Sequence, residues 1–176
     1  MIQLPPVPAW DALHPLIVHF PIALLLITPL FIVLGSVLEE EKGRMYLISG
    51  LILMALGTGA VFVALETGEA AGKLAERTPE INAVLEHHEQ LAEITRAVFS
   101  ALTVIFAAIL FLPRLLRRSS GRLIRTLPLV FLLIYGAGVP VLVSTAHNGG
   151  RLVHEFGVHA LVGPGAPAPG AQAQGD

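Results

Sequence analysis

Seven histidines and no cysteine stand in a chain of 176 residues. That pairing narrows the chemistry before any fold is considered. Without thiols there are no disulfides, thiolate zinc sites, iron–sulfur clusters, covalently attached haem or cysteine nucleophiles. Imidazole nitrogen remains, and it suits haem iron, copper, zinc and nickel alike. The histidines are His14, His19, His87, His88, His147, His154 and His159. The His14/His19 spacing is not the i, i+4 pair of a zinc protease, and no G-x-S-x-G, Walker or dinucleotide fingerprint is present, which disfavours a hydrolase. Electron transfer or binding is expected ahead of enzymatic turnover.

The elements that must position these rings belong in lipid. The chain is 54% hydrophobic and 14% charged, with mean hydropathy +0.73, whereas a soluble domain carries roughly a quarter charged residues. A bilayer core of about 30 Å needs roughly twenty apolar helical residues, and four segments supply them. The expected spans are about 16–38, 45–65, 91–112 and 126–147, forming an all-α four-helix transmembrane bundle within residues 1–162. Pro21 and Pro29 should kink the first span, and Pro140 the fourth. The second should end before Glu66-Thr67-Gly68, and its small residues Gly57, Gly59, Ala60 and Ala64 permit close approach of another helix or a flat ligand. The third opens at Thr78-Pro79, a cap followed by a first-turn proline, so its early turns must bend or stand outside the hydrocarbon. Gly149-Gly150 should stop the fourth. Residues 163–176, rich in Gly, Pro and Ala, read as a disordered tail.

Direction follows from the basic residues, because cytoplasmic loops carry the Lys/Arg excess. Seven (Lys42, Arg44, Arg114, Arg117, Arg118, Arg122 and Arg125) flank one side of the expected spans, and four (Lys73, Arg77, Arg96 and Arg151) the other. Both termini are therefore expected outside, with the chain in a bacterial inner membrane and Trp10 as an interfacial anchor. The first fourteen residues lack Lys and Arg and no A-x-A-like end follows, so the first span reads as an anchor rather than a cleaved signal. A formal charge of −2 argues against a nucleic-acid surface.

This topology gathers all seven histidines toward the outer face. His19 is a full turn inside an apolar helix, where an ionisable group marks a functional site by default, although it could instead bond a carbonyl freed by the prolines. At about 100° per residue, His88 shares the side of Leu91, Ala92 and Thr95, opposite the charged face of the third helix, and should point into the bundle. His147 stacks over Val143, Ser144, Pro140 and Gly136, a sparse face with room for a porphyrin. His14 precedes Pro15 and could merely cap the first helix. His87, His154 and His159 are expected to face solvent. Imidazoles from separate helices at one level are what a cofactor site in a bundle core requires. The expected axial ligands are His19 and His147, then His88 and His14, with His87 and His154 ranked below. Arg151 is the candidate partner of a haem propionate.

The strings His14-Pro15-Leu16-Ile17-Val18-His19-Phe20-Pro21 and Ala146-His147-Asn148-Gly149-Gly150-Arg151-Leu152-Val153 resemble the predicted-membrane-protein family called domain of unknown function 2231, over about residues 12–160. Members are four-helix units that in some bacteria accompany cytochrome c or Rieske-type domains. The resemblance implies a membrane redox partner and haem b, and it supports His14, His19 and His147 best, His88 less. A redox protein, a quinol and a homo-oligomer stay open as partners. Two alternatives also stay open: binding or transport of copper, zinc or nickel through the same imidazoles, and a non-catalytic assembly subunit.

Overall fold

The computed structural model describes residues 7–75, 77–115 and 121–158, without the side chains of 114–125. His159, the tail 163–176 and the arginine side chains at 114, 117, 118, 122 and 125 lie outside the described residues. After a 3-10 turn at Trp10–Ala12 come α1 (His14–Ile17), α2 (His19–Val37), α3 (Glu40–Gly72), α4 (Pro79–Leu115) and α5 (Gly121–His154). There is no strand among the described residues. Four segments are long and apolar enough to cross a membrane: His14–Val37, Glu40–Gly72, Pro79–Pro113 and Thr126–His154. The chain is a four-helix transmembrane bundle.

The helices outrun their apolar segments. α3 holds 33 residues, about 50 Å at ~1.5 Å per residue, and carries Glu66, Thr67 and Gly68 inside it instead of ending before them. α4 runs 37 residues from Pro79, so its first turns stand beyond the apolar stretch. α5 passes through Gly149-Gly150 to His154, and the left-handed glycine comes later, at Gly157 with φ 65°. At Pro21 the expected kink is a lapse in hydrogen bonding between α1 and α2. Proline has no amide for the Ile17 carbonyl, while Val18 keeps helical dihedrals of −59° and −25°.

α2 lies along α3 and α4 along α5, making two hairpins, and the contacts α3 to α4 and α2 to α5 close the ring. Each hairpin buries the same register. In α2 the buried positions Pro21, Leu25, Thr28, Ile32 and Ser36 fall 7, 11, 14, 18 and 22 residues after His14. In α4, Thr95, Phe99, Leu102, Phe106 and Leu110 fall at the same offsets after His88. In α3, Leu47, Gly50, Met54, Gly57, Val61 and Thr67 precede Gly68 by 21, 18, 14, 11, 7 and 1 residues. Pro128, Phe131, Tyr135, Gly138, Leu142 and Asn148 precede Gly149 identically in α5. Alternating steps of three and four are what any left-handed bundle needs. The shared register against a histidine and a glycine goes further, and relates the hairpins by an approximate two-fold axis along the bundle.

The core is aromatic on one side of that axis and small on the other. Phe106 stacks on Phe131 with ring centres 4.8 Å apart, and Phe99 meets Tyr135 edge-on at 5.5 Å. Against Leu25, by contrast, α3 presents Gly57. In lipid such packing contributes mainly through dispersion and close approach, because lipid tails are as apolar as the core. Several polar groups are matched individually, while the buried Ser100 hydroxyl has no partner among the described residues. The Leu25 carbonyl, which Pro29 cannot reach for want of an amide, accepts the Tyr135 hydroxyl at 2.6 Å. Thr58 meets Thr103 at 2.9 Å between α3 and α4.

Candidate functional site

His14 opens α1 beside Pro15, whose fixed φ suits a first helical turn. Its imidazole crosses to α3, where Nδ1 lies 2.8 Å from the Ala64 carbonyl oxygen and 3.4 Å from the Thr67 hydroxyl. His88, on the bundle-facing side of α4, reaches across to α5, with Nδ1 2.9 Å from the Thr145 carbonyl oxygen. A carbonyl only accepts, so both Nδ1 atoms carry the proton, and in the neutral imidazole each Nε2 keeps its lone pair. Among the described residues neither Nε2 has a protein hydrogen-bond partner.

The rings face each other across the bundle, with centres 6.3 Å apart and planes at 82°. Both line a cavity of about 380 Å³ that all four helices enclose at the histidine end. Its wall is largely apolar, with Ile22, Val61, Leu65, Leu85 and Leu142 among its residues, while Asp11, Glu69, Glu89 and Glu93 add carboxylates. Two of these are engaged: Glu69 holds Lys73 at 2.9 Å and Glu93 pairs with Arg96. Thr95 and Thr145 meet at 2.8 Å between α4 and α5. Thr145 donates to the Val141 carbonyl, so Thr95 donates to Thr145.

The remaining candidates fall elsewhere. His19 and His147, expected as the inward ligands, are both exposed and outside the cavity wall. Helical phase explains each. His19 sits five residues, about 140°, from His14, and the first span can bury only one of those directions. The seam through Pro21 and Leu25 takes the side of His14. On α5 the face of Gly136, Pro140, Val143, Ser144 and His147 is the exposed one, while Tyr135, Gly138 and Leu142 are buried. A sparse face of small residues looked like a groove from sequence, but the face of α5 that packs inward is the one carrying Phe131, Tyr135 and Leu142. His87 and His154 are exposed. Arg151 bonds Glu155 at 2.9 Å and does not line the cavity, so the structure does not offer it as a propionate partner.

Sequence reasoning missed the supporting residues altogether. An added Cβ at Gly68 would lie 2.8 Å from His14 Cε1, and one at Gly149 would lie 3.1 Å from His88 Cε1. The signal was the pairing of a buried polar residue with a following glycine, Thr67-Gly68 and Asn148-Gly149, at the same place in each hairpin.

A pair of imidazoles underfills a free metal ion. Among the described residues no group of three or more His, Asp or Glu side chains is gathered to hold one. A macrocycle brings four equatorial nitrogens of its own and asks the protein for only two axial ligands. The ring centres of His14 and His88 stand 6.3 Å apart. Two imidazoles are the donor set that a haem would ask of the chain.

Over residues 10–161 the chain matches the family model described as predicted membrane protein DUF2231, and it belongs to that family. No curated protein matches, and no solved structure matches.

Proposed function

We propose that this member of the predicted-membrane-protein family binds one b-type haem between His14 and His88 and passes electrons at the extracytoplasmic face of the membrane. The observation that carries the reading is the pair of Nδ1-anchored rings from opposite hairpins, 6.3 Å apart in one apolar-walled cavity. When bound, haem supplies reversible one-electron transfer. The chain's own residues do the rest. Ala64 and Thr145 hold the rings through their carbonyls, and aliphatic side chains make up much of the wall around them. His14 and His88 would both hold the haem iron, a ligand pair that would favour electron transfer over oxygen chemistry.

The excess of Lys and Arg at the opposite end of the bundle supports an extracytoplasmic histidine end in a bacterial inner membrane, with both termini outside. Its exchange partners would be a membrane donor such as a quinol and an extracytoplasmic redox protein.

A second reading has one observation behind it. Asp11 and Glu89 line the same cavity as the two imidazoles, and a transition-metal cation such as copper, zinc or nickel would gain their carboxylates only if these moved in beside the rings. Full-length protein, expressed with adequate haem and purified in detergent, separates the two. The haem reading expects a Soret band and one haem per chain by pyridine haemochrome. A colourless protein with stoichiometric metal by mass spectrometry would replace it with the second.

A further inference from the structure

His14 and His88 are held in the same way at two places in the fold. Each Nδ1 bonds a carbonyl on the partner helix of its own hairpin, Ala64 in α3 or Thr145 in α5. Four residues on, one helical turn further, each ring lies against a glycine, Gly68 or Gly149. Immediately before each glycine stands a buried polar residue, Thr67 or Asn148. A larger residue would force the His14 ring to shift and would press the His88 ring by a few tenths of an ångström. A Cβ at position 68 would fall 2.8 Å from Cε1 and 3.0 Å from Nδ1 of His14, closer than real Cβ contacts occur. The yielding atoms would belong to a ring fixed by a 2.8 Å hydrogen bond, so relief means leaving the Ala64 carbonyl. At Gly149 the corresponding distances to His88 are 3.1 Å and 3.6 Å, a milder version of the same conflict.

We infer that Gly68 and Gly149 are paired positioning residues that seat His14 and His88 on their carbonyls as Nδ1–H tautomers, keeping both Nε2 lone pairs available to one metal centre in the cavity. For the nature of that centre the inference rests on the haem reading. The positioning itself does not. A neutral imidazole released from its carbonyl exchanges its proton between the two nitrogens, and a molecule with Nε2–H cannot ligate through Nε2. Outer partners of this kind typically change metal affinity by about 10- to 100-fold when altered.

The test is long-range proton–nitrogen correlation of the histidine rings in the full-length, haem-free protein in detergent. The wild type should show His14 and His88 as Nδ1–H tautomers. Gly68→Ala should move His14 alone to a mixture, and Gly149→Ala His88 alone. Gly150→Ala, whose Cβ would meet nothing within 4 Å, should leave both unchanged. If Gly68→Ala fails to fold, the milder Gly149→Ala variant still decides the matter. Nε2–H tautomers in the wild type, or tautomers indifferent to both variants, would overturn the inference. Haem titration of the same samples should show affinity falling about tenfold or more in each variant. A wild type with the expected tautomers that takes up no haem would remove the haem reading and leave the positioning standing.

Discussion

The Tyr135 hydroxyl donates a 2.6 Å hydrogen bond to the Leu25 carbonyl, the acceptor that Pro29 leaves without its helical amide. One proline-made defect in α2 is thus repaired by a side chain from α5. Tyr135 lies on the buried face of α5 with Phe131 and Leu142.

Tyr135→Phe keeps the ring's packing against Phe99 and Phe131 and removes only the donor. A buried carbonyl left unpaired costs about 1–3 kcal/mol. Equilibrium unfolding of the variant in mixed detergent should show a loss in that range, without change in helix content by circular dichroism. A variant as stable as the wild type would show that the Leu25 carbonyl finds another partner.

Gly57→Ala and Gly59→Ala should behave oppositely although they lie two residues apart. At 57 the new Cβ would stand 2.9 Å from Leu25 Cγ, within a fully buried contact, while at 59 nothing lies within 4 Å. Overpacking costs about 1–3 kcal/mol, so Gly57→Ala should unfold earlier in the same assay. Gly59→Ala should be neutral or slightly stabilising, since alanine favours helix by about 1 kcal/mol over glycine. Equal effects would mean the α2–α3 approach is looser than the structure has it.

Replacing Thr95 by Val removes the hydroxyl that joins α4 to Thr145 on α5. Hydrogen bonds between membrane helices are worth about 0.6 kcal/mol on average, so the stability change should be small. Thr145 keeps its own bond to Val141, and the carbonyl that holds His88 is untouched. Haem content after Thr95→Val should therefore match the wild type. A large loss of haem would tie the hydroxyl pair directly to the site.

Because the chain has no native cysteine, single-cysteine variants report direction cleanly. Trp10→Cys and His154→Cys should label with a membrane-impermeant maleimide in intact cells, and Glu41→Cys only after lysis. The reverse pattern would invert the bundle and place the cavity on the cytoplasmic side.

Hydropathy and length made the four spans legible in sequence, because lipid demands a continuous apolar segment whatever the neighbours do. The orientation of His88 was legible too, since Glu86, Glu89 and Glu93 of α4 are exposed, with Glu89 and Glu93 also bordering the cavity, and the side of Ala92 and Thr95 is left for the bundle. α5 offered no such contrast. Its exposed and buried faces are both apolar, so the presence of small residues around His147 carried no information about direction. Depth misled for His19 in the same way, because a position one turn inside an apolar helix says nothing of which side it faces. Gly149 read as a helix stop, yet within a packed membrane helix it clears space for the His88 ring. The register shared by the two hairpins was hidden because burial repeats while the residue types do not, with Leu25 against Phe99 and Met54 against Tyr135.

The most direct test of the central claim compares haem retention in two double variants purified side by side. His14→Ala/His88→Ala should purify folded but without the Soret band, because both free Nε2 atoms are gone. His19→Ala/His147→Ala, which removes two exposed rings outside the cavity, should retain one haem per chain. Retention in the first pair and loss in the second would contradict the account and move the site to the outer faces of α2 and α5.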